Sequence, residues 1–219
     1  MRKPFKTIFI IGLLLFICTN IIIKLFFIDI VKVQGHSMQP TFNNGTYLLI
    51  SRYSAGMRCP RNIFEIPWVN TLSYYLLPND YIDKTLFNAP KSYVKLKRSD
   101  INRKDVVIFN MPYYLQSTAI KRCIGMPGDS IKHYSPTHEV LSIIPYEGMK
   151  IKSGQYSDEQ QNILINKYFF KKEKITDDLV ATTNFYFVQG DNSSASIDSR
   201  VWGLLPEDHI FAKVLFPLF

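Results

Sequence analysis

The chain has little cysteine, and its histidines do not group into a ligand set. Only three of its 219 residues are cysteines, too few for a disulfide scaffold. Cys18 lies in an apolar stretch, so Cys59 and Cys123 are the one pair that an oxidising compartment would allow to join, and the sequence leaves open whether they meet. The four histidines are scattered, and the spacing of His133 and His138 alone does not define a metal site. The sequence therefore predicts no metal and no cofactor.

Nucleic-acid motifs are also missing, although the chain is basic. The formal net charge is +8, but the 26 basic residues are scattered along the chain. No zinc-finger spacing, recognition-helix pattern or aromatic-basic RNA motif accompanies them. We therefore expect no nucleic-acid partner, and anionic lipid headgroups match this charge better. A hydrophobic content of 47% with 14% aromatic residues excludes a disordered chain.

One long apolar run is present, close to the N-terminus. Residues 7–28 predict a transmembrane helix, because no charged residue occurs between Ile8 and Ile23 and Lys24 can extend its ammonium group to the interface. The alternative is a cleaved secretory signal, which has a shorter apolar core and a small-x-small end. Cys18-Thr19-Asn20 matches that end poorly, and bulky residues follow it. We therefore expect a retained membrane anchor.

The charges beside the anchor predict its orientation. Arg2, Lys3 and Lys6 precede the apolar run, and basic residues next to a span favour the cytoplasmic side. We expect a single-pass protein of the inner (plasma) membrane. Residues 1–6 would form a cytoplasmic tail, and residues 29–219 would form a domain outside the cytoplasm.

The rest of the chain has the pattern of strands and turns. Short apolar or alternating segments predict strands, and pairs such as Pro127-Gly128 mark turns between them. The predicted strands are residues 30–34, 47–52, 105–109, 118–124, 184–189 and 210–216. Outside the membrane, the helical pattern is limited to about residues 157–170. We therefore expect a mainly β fold of antiparallel sheets.

Two stretches interrupt this β core. Residues 53–104 separate two predicted strands by far more than a hairpin needs. Residues 133–183 predict an inserted subdomain, which leaves 29–132 and 184–219 as the core. The first stretch contains an apolar and aromatic run at 63–77. This run is either a hydrophobic cluster beneath a long loop or a patch that enters the lipid headgroup layer.

Ser37 is the candidate nucleophile. It lies in a Gly-x-Ser-Met-x-Pro-Thr frame, nine positions after the apolar run ends near Ile28. Gly35 allows close backbone approach, and Pro40 fixes the chain after the serine. His36 is a poor base for its neighbour, because adjacent side chains of an extended chain point to opposite faces. A Gly-x-Ser-x-Gly elbow is absent from the sequence, so a Ser-His-Asp hydrolase is not predicted.

Lys121 is the candidate base. On a strand it shares one face with the small residues Ala119 and Cys123, which leaves room for a peptide and admits little water. A working base must be neutral, and desolvation in an apolar, substrate-covered site lowers the pKa of a lysine. Spacing alone leaves a second interpretation open, in which Lys121 and Arg122 are surface charges at a strand end.

Four blocks, in this order, resemble the type I signal peptidases (leader peptidases), a family of serine–lysine peptidases. The blocks are the Ser37 frame, Asp105 to Pro112, Lys121 to Asp129 (compared with Lys-Arg-x-x-Gly-x-Pro-Gly-Asp), and Gly190-Asp191-Asn192 with the residues up to Gly203. The resemblance implies a signal-peptidase-like catalytic core with Ser37 as nucleophile and Lys121 as general base. It also implies that Ser196 orients the lysine, and that Asp198 and Arg200 pair beside the site.

Two positions depart from the family pattern. Some relatives have a serine two residues before the nucleophile whose hydroxyl joins the oxyanion hole, whereas this chain has Gly35 there. The hole then relies on backbone N–H groups, with that of Ser37 the leading candidate. Ala195 replaces an asparagine of the family's Asn-x-x-Asn-Ser, which leaves open whether Ser196 or Ser194 lies beside the lysine.

The resemblance implies an endopeptidase that removes N-terminal signal peptides from exported precursor proteins. Family substrates have small residues one and three positions before the cut and bind as an added strand. The matching pocket positions are Val33, Gly35, Ala119 and Ile120. We expect a monomer whose partners are precursors and membrane lipids.

Two other functions stay open from the sequence. A Ser-Lys autoprotease of the repressor-cleaving type would be soluble and bind DNA, and the anchor argues against it. A catalytically silent relative would serve as a membrane scaffold or binding module. The presence of Ser37, Lys121 and Ser196 argues against that second alternative.

Overall fold

The structure is a computed structural model that describes residues 3–60, 62–78, 96, 99–111, 117–134, 139–151, 170–172 and 179–219. Some sequence predictions fall outside these ranges. They concern Arg2, Pro112, His138 and the helical pattern at 157–170, of which only Phe170 is described, as the first residue of a strand.

The apolar N-terminal run is helical, as predicted. Helix α1 (Lys3–Ile22) continues as a π-helix over Ile23–Phe27. Lys6–Phe27 is long and apolar enough to cross a membrane, and none of its most apolar window is buried inside the protein. At about 1.5 Å per residue, 22 helical residues extend about 33 Å, which fits a hydrocarbon layer of about 30 Å. Polar side chains within it bond to carbonyls one turn back, as Asn20 does to Phe16.

The described residues contain twelve strands, and every strand pair is antiparallel. They are β1 Ile28–Lys32, β2 Tyr47–Ser51, β3 Val106–Asn110, β4 Thr118–Gly125, β5 Ser130–Tyr134, β6 Glu139–Ile143, β7 Lys150–Ile151, β8 Phe170–Lys172, β9 Leu179–Ala181, β10 Phe185–Gln189, β11 Leu205–Pro206 and β12 Ile210–Pro217. Seven form the main sheet in the order β1-β2-β12-β3-β4-β10-β11. β5 pairs with β6, and β7, β9 and β8 form a three-stranded sheet. The predicted mainly β, antiparallel fold is confirmed.

Both faces of the main sheet are covered, which explains the unbroken apolar run in β3. Val107 and Phe109 belong to one buried cluster, together with Cys123 and Trp202. The alternate residues Val106 and Ile108 belong to a second cluster, which includes Leu48, Ile50, Met38 and Phe42. Successive side chains of a strand point to opposite faces, so a strand covered on both sides contains few polar residues.

Six of these strands match the six predicted segments, with small shifts at their ends. The largest shift is at β1, which begins at Ile28 and ends at Lys32 rather than spanning 30–34. Just after β1, the Val33 N–H still donates to Thr46 O at 2.8 Å, directly before β2 begins. Gly35 then has a φ of +92°, which bends the chain out of the extended conformation. The short strands β5 to β9 and β11 were not predicted.

The long insertion after β2 contains structure that its sequence pattern does not predict. A 3-10 helix spans Ile63–Glu65, and helix α2 spans Val69–Leu76. The prediction that helical pattern outside the membrane is limited to 157–170 is therefore wrong. Buried Arg58 ties the insertion to the core, because its guanidinium donates to the main-chain oxygens of Glu207, Asp208 and Ile210.

Candidate active site

Ser37 lies in the tight turn that follows β1. The turn begins at Gly35, whose N–H donates to Asn44 Oδ1 at 3.1 Å. Just after the serine, Met38 and Phe42 are buried in the core, and Phe42 N–H donates to Met38 O at 2.9 Å. The serine is therefore held at the surface by a glycine turn on one side and by buried apolar side chains on the other.

Lys121 reaches Ser37 from the middle of β4. Its side chain is 5% exposed, and its Nζ lies 2.6 Å from Ser37 Oγ. Alternate residues of β4 point inward, so Lys121 shares a buried face with Cys123 and Gly125. Lys121 is therefore not a surface charge at a strand end, which was the second interpretation that its spacing in the sequence had left open.

The surroundings of Lys121 favour its neutral form. Burial lowers the pKa of Lys121, because removal from water penalises the ammonium ion. The charge on Arg200 acts in the same direction, while the carboxylates of Asp198 and Asp191 oppose it. The net effect is a pKa below the ordinary value for lysine, which suits a proton acceptor.

Asp198 organises the segment next to the lysine. Its carboxylate is fully buried and accepts hydrogen bonds from Gly190 N at 2.9 Å and Ser196 Oγ at 2.7 Å. Arg200 binds it in a bidentate pair, with Nε and one Nη each at 2.8 Å. Burial alone would raise the pKa of Asp198, but the hydrogen bonds from Arg200, Gly190 and Ser196 outweigh it and lower the pKa to about 2. Asp198 also caps the short helix α3 (Ser199–Trp202).

A second carboxylate–arginine pair joins three parts of the site. Arg122 Nε donates to Asp191 Oδ1 at 2.8 Å, and its Nη donates to Oδ2 at 2.6 Å. Thr41 Oγ1 donates to the same Asp191 Oδ2 at 2.5 Å. The pair thereby ties the serine turn, the lysine strand and the segment after β10 together. Neither the Arg122–Asp191 pair nor its bond to Thr41 was predicted from the sequence, although Arg122 directly follows the lysine and Asp191 lies in the last motif block.

Gly190 and Asn192 bring the last block against the serine turn. A Cβ added at Gly190 would lie 2.6 Å from the Ser37 carbonyl oxygen and 2.6 Å from Ser196 Cβ, so no larger residue fits without displacing the turn. Asn192 N–H donates to Ser37 O at 2.9 Å, and its side-chain amide donates to His36 O at 3.2 Å. Asn192 was also missed by the sequence analysis, although it belongs to the same block.

The other side chains considered for the site are those of Ser196, Ser194 and His36. The Ser196 hydroxyl donates to Asp198, and the structure places no hydrogen bond between Ser196 and Lys121. Ser194 is exposed and donates to Asn192 Oδ1 at 2.8 Å. The neighbouring His36 is exposed as well, with its main chain, and not its ring, bonded to the site.

Two of the predicted pocket positions, Ala119 and Ile120, lie on β4 where one edge of this strand is free. Val33 is buried in one core cluster against which Ile120 packs, whereas Ala119 packs against the other cluster. β4 lies between β3 and β10 in the main sheet, but β10 pairs with it only over residues 122–125. On the β10 side, the stretch of β4 from Thr118 to Lys121 therefore has no neighbouring strand among the described residues. An extended peptide has room to add there as a further strand.

The described residues contain no group of three His, Cys, Asp or Glu side chains that could hold a metal ion. All three cysteines are free, so the structure contains no bridge between Cys59 and Cys123. Burial raises the pKa of the Cys123 thiol to about 12, which makes it unreactive at neutral pH.

A serine hydroxyl in contact with a buried lysine of lowered pKa is the arrangement of a hydrolase that uses lysine as its base. The family model described as "Signal peptidase, peptidase S26" matches residues 2–219, and the chain belongs to that family. It is therefore a serine endopeptidase that removes signal peptides from precursor proteins, and its apolar N-terminal helix fits a membrane-anchored protein. The family resemblance noted in the sequence is confirmed.

Several known proteins are similar to the chain. Signal peptidase I of Buchnera aphidicola subsp. Baizongia pistaciae is 24% identical, with coverage of 89% of this chain and 71% of that protein. Signal peptidase I of Pseudomonas fluorescens is 23% identical, with coverage of 88% and 65%. Among solved structures, a signal peptidase I from Enterococcus faecalis V583 is 24% identical, covers 53% of this chain and 97% of its own, and superposes with a TM-score of 0.29.

Proposed function

We propose that Ser37 and Lys121 form the catalytic dyad with which this chain cleaves signal peptides from exported precursors. The main support is the 2.6 Å distance between Lys121 Nζ and Ser37 Oγ. The burial that lowers the lysine pKa supports the same roles, because a neutral amine in hydrogen-bond contact can accept the serine proton.

The dyad would carry the proton through both halves of the reaction. Neutral Lys121 takes the hydroxyl proton of Ser37 as Oγ attacks the scissile carbonyl. The protonated lysine then gives this proton to the leaving amine of the mature protein, and an ester joins Ser37 to the signal peptide. Neutral again, Lys121 deprotonates a water molecule that attacks the ester, and it returns the proton to Oγ.

Stabilisation of the tetrahedral oxyanion falls to the main chain. Gly35, two residues before the nucleophile, has no hydroxyl to offer, so we assign the N–H of Ser37 as the leading donor. The turn carrying this N–H is held by the Asn192 N–H to Ser37 O bond of 2.9 Å. Such a fixed donor stabilises developing charge without reorganising during the reaction.

The two carboxylate–arginine pairs position the dyad and take no part in bond making. Asp198, held by Arg200, fixes Ser196 and Gly190 next to the serine turn. Asp191 and Arg122 lock that turn to β4. We therefore assign Ser196, Asp198 and Arg200 as supporting residues, with Ser196 acting through Asp198 and not by direct contact with the lysine.

The substrate would lie along the open edge of β4. Its residues before the cut would pair with Thr118 to Lys121, and Val33, Gly35, Ala119 and Ile120 would shape the pockets for small side chains. Gly35 is exposed and has nothing within 4 Å of its absent side chain, which leaves space for a peptide backbone to approach.

We further propose a single-pass topology in the plasma membrane with a cytoplasmic N-terminus. Residues 1–6 form the cytoplasmic tail, 7–28 the anchor and 29–219 the extracytoplasmic peptidase domain, which works as a monomer. Within that domain, 29–132 and 184–219 form the core and 133–183 an inserted subdomain. The support is the basic cluster before the apolar run.

The proposal is tested by cleavage of a precursor with an Ala-x-Ala end by the purified full-length chain in detergent. Ser37→Ala and Lys121→Ala should each abolish cleavage, and the double variant should be no worse than either, because the pair acts as a unit. Lys121→Arg should be inactive too, since a guanidinium group does not deprotonate. The control is His36→Ala, which should stay active. Substantial turnover by Lys121→Ala together with loss of activity in His36→Ala would contradict the assignment.

A further inference from the structure

An exposed apolar stripe on the long insertion has no part in the proposed chemistry. Its members are Trp68, Leu72, Tyr75 and Leu76, each between 56% and 78% exposed. Leu72, Tyr75 and Leu76 occupy one side of α2, and Trp68 lies one turn earlier, since residues three and four apart share a helix face. We call these four residues the α2 stripe.

Other residues of this segment are buried. Ser73 of α2 is buried, and so is Phe64 in the preceding 3-10 helix. The run at 63–77 is therefore divided, because Phe64 is core whereas the α2 stripe is exposed. A helix with one packed side and one exposed apolar side is typical of a segment that lies in a membrane interface.

The position of Trp68 relates the α2 stripe to the membrane. The Lys24 ammonium lies 5.4 Å from the centroid of the Trp68 ring, and it also pairs with Asp29 at 3.3 Å. Lys24 belongs to the last turn of the Lys6–Phe27 span, where a lysine extends its charge to the headgroup level. Trp68 therefore lies at that same level, where tryptophan is favoured.

The backbone at Trp68 is also unusual. Its φ is +71°, a conformation that favours glycine or asparagine and is rare for a bulky residue. The strain turns the chain between the 3-10 helix and α2, and it places an indole ring at the surface next to Lys24. The core does not need this side chain, since it is 56% exposed.

We propose that the α2 stripe rests in the headgroup layer of the leaflet from which the membrane helix emerges. The domain then contacts the bilayer at two places, at the end of its anchor and at α2. A single tether lets a domain rotate, whereas two contacts fix its orientation. Ser37 lies nine positions after Ile28, at most about 30 Å of extended chain, so this orientation would hold the serine close to the membrane surface.

The test uses the two tryptophans of the chain in the full-length protein. Nanodiscs holding one copy each are prepared with phosphatidylcholine brominated at acyl carbons 6 and 7, or with the unbrominated lipid. Trp202 is 4% exposed in the core, so we expect lipid not to reach its ring. We expect brominated lipid to remove more than half of the Trp68 emission, and this quenching should disappear in Trp68→Phe.

Two further variants keep the test independent of the Trp68 substitution. Replacement of Leu72 and Leu76 by serine should reduce the quenching at least twofold, because the α2 stripe would then lose the apolar side chains that enter the lipid. Tyr146→Ser, which changes an exposed aromatic residue elsewhere on the domain, should leave it unchanged. Equal emission in the two lipids would overturn the proposal, and so would quenching that is absent from these discs and appears only in discs that hold two copies. None of these measurements depends on catalysis, so the proposal fails or survives separately from the assignment of the dyad.

Discussion

Replacement of Asp198 by asparagine should destabilise the domain in a way that depends on pH. The carboxylate is fully buried, and the Asp198→Asn change removes its charge with little change of shape. The new amide would turn NH₂ hydrogens toward Gly190 N–H, Ser196 Oγ–H or Arg200, which are donors to this carboxylate. Donors would then face donors, and the Arg200 charge would lose its partner.

The magnitude follows from the pKa of Asp198. A drop from the ordinary value of 3.8 to about 2 corresponds to about 2.5 kcal/mol at about 1.4 kcal/mol per pH unit. Because the folded pKa lies below the unfolded one, this stabilisation is complete above about pH 5 and is lost as the pH falls toward 2, with roughly half remaining at pH 3. Breaking a buried ion pair costs about 3–5 kcal/mol at pH 7. The part of this cost that exceeds about 2.5 kcal/mol does not come from the ionisation of Asp198, so it should not vary with pH.

Urea unfolding followed by Trp202 fluorescence measures this effect in detergent. Trp202 is buried and belongs to the helix that Asp198 caps, so its emission reports on this region. The difference in unfolding free energy between wild type and Asp198→Asn should be largest near pH 7 and should shrink by about 1 kcal/mol at pH 3. A difference that stays constant from pH 7 to pH 3 would refute the reasoning, because the carboxylate charge would then contribute nothing to stability.

Two other predictions concern the proposed base and the topology. The value of kcat/KM on a soluble peptide should rise with pH through the lowered pKa of Lys121. Arg200→Gln should move this rise to higher pH and Asp198→Asn should move it to lower pH, because the two charges act on the pKa of Lys121 in opposite directions. Shifts of both variants in the same direction would contradict this electrostatic account. A reporter that is active only outside the cytoplasm, fused after Phe219, should be active, and the protein should resist alkaline extraction from membranes; a soluble, N-terminally shortened product would contradict the retained anchor.

The strands around the site were predictable because local pattern and tertiary environment agree there. β3 is an apolar run with buried residues on both faces, and β4 alternates so that Lys121 shares its inner face with Cys123. α2 was not predictable in the same way. Its eight residues are too few for a helical period to stand out, and the exposed apolar stripe resembles a buried cluster when only composition is considered.

Some members of the candidate site were predictable from the sequence, but their contacts were not. The resemblance of four sequence blocks to the signal peptidases points to Ser37 and Lys121, yet the side chain that Ser196 contacts depends on how the last block folds over Gly190. The close approach at Gly190 turns the Ser196 hydroxyl toward Asp198. The approach of Gly190 to the carbonyl oxygen of Ser37 joins segments that are distant in sequence, so no local pattern encodes it. The same holds for the Thr41 and Asp191 bond, which spans 150 positions.

The proposed site avoids an electrostatic difficulty that nearby carboxylates create for a lysine that acts as a base. Two carboxylates, Asp191 and Asp198, lie close enough to raise the pKa of Lys121, and an unopposed carboxylate would keep the ammonium ion charged. Each carboxylate is instead held by an arginine in a bidentate pair, Asp191 by Arg122 and Asp198 by Arg200. The carboxylates thus fix the backbone of the serine turn while their charge is largely neutralised. Burial can then dominate the titration of the lysine, and a positioning network rich in charge coexists with a base of lowered pKa.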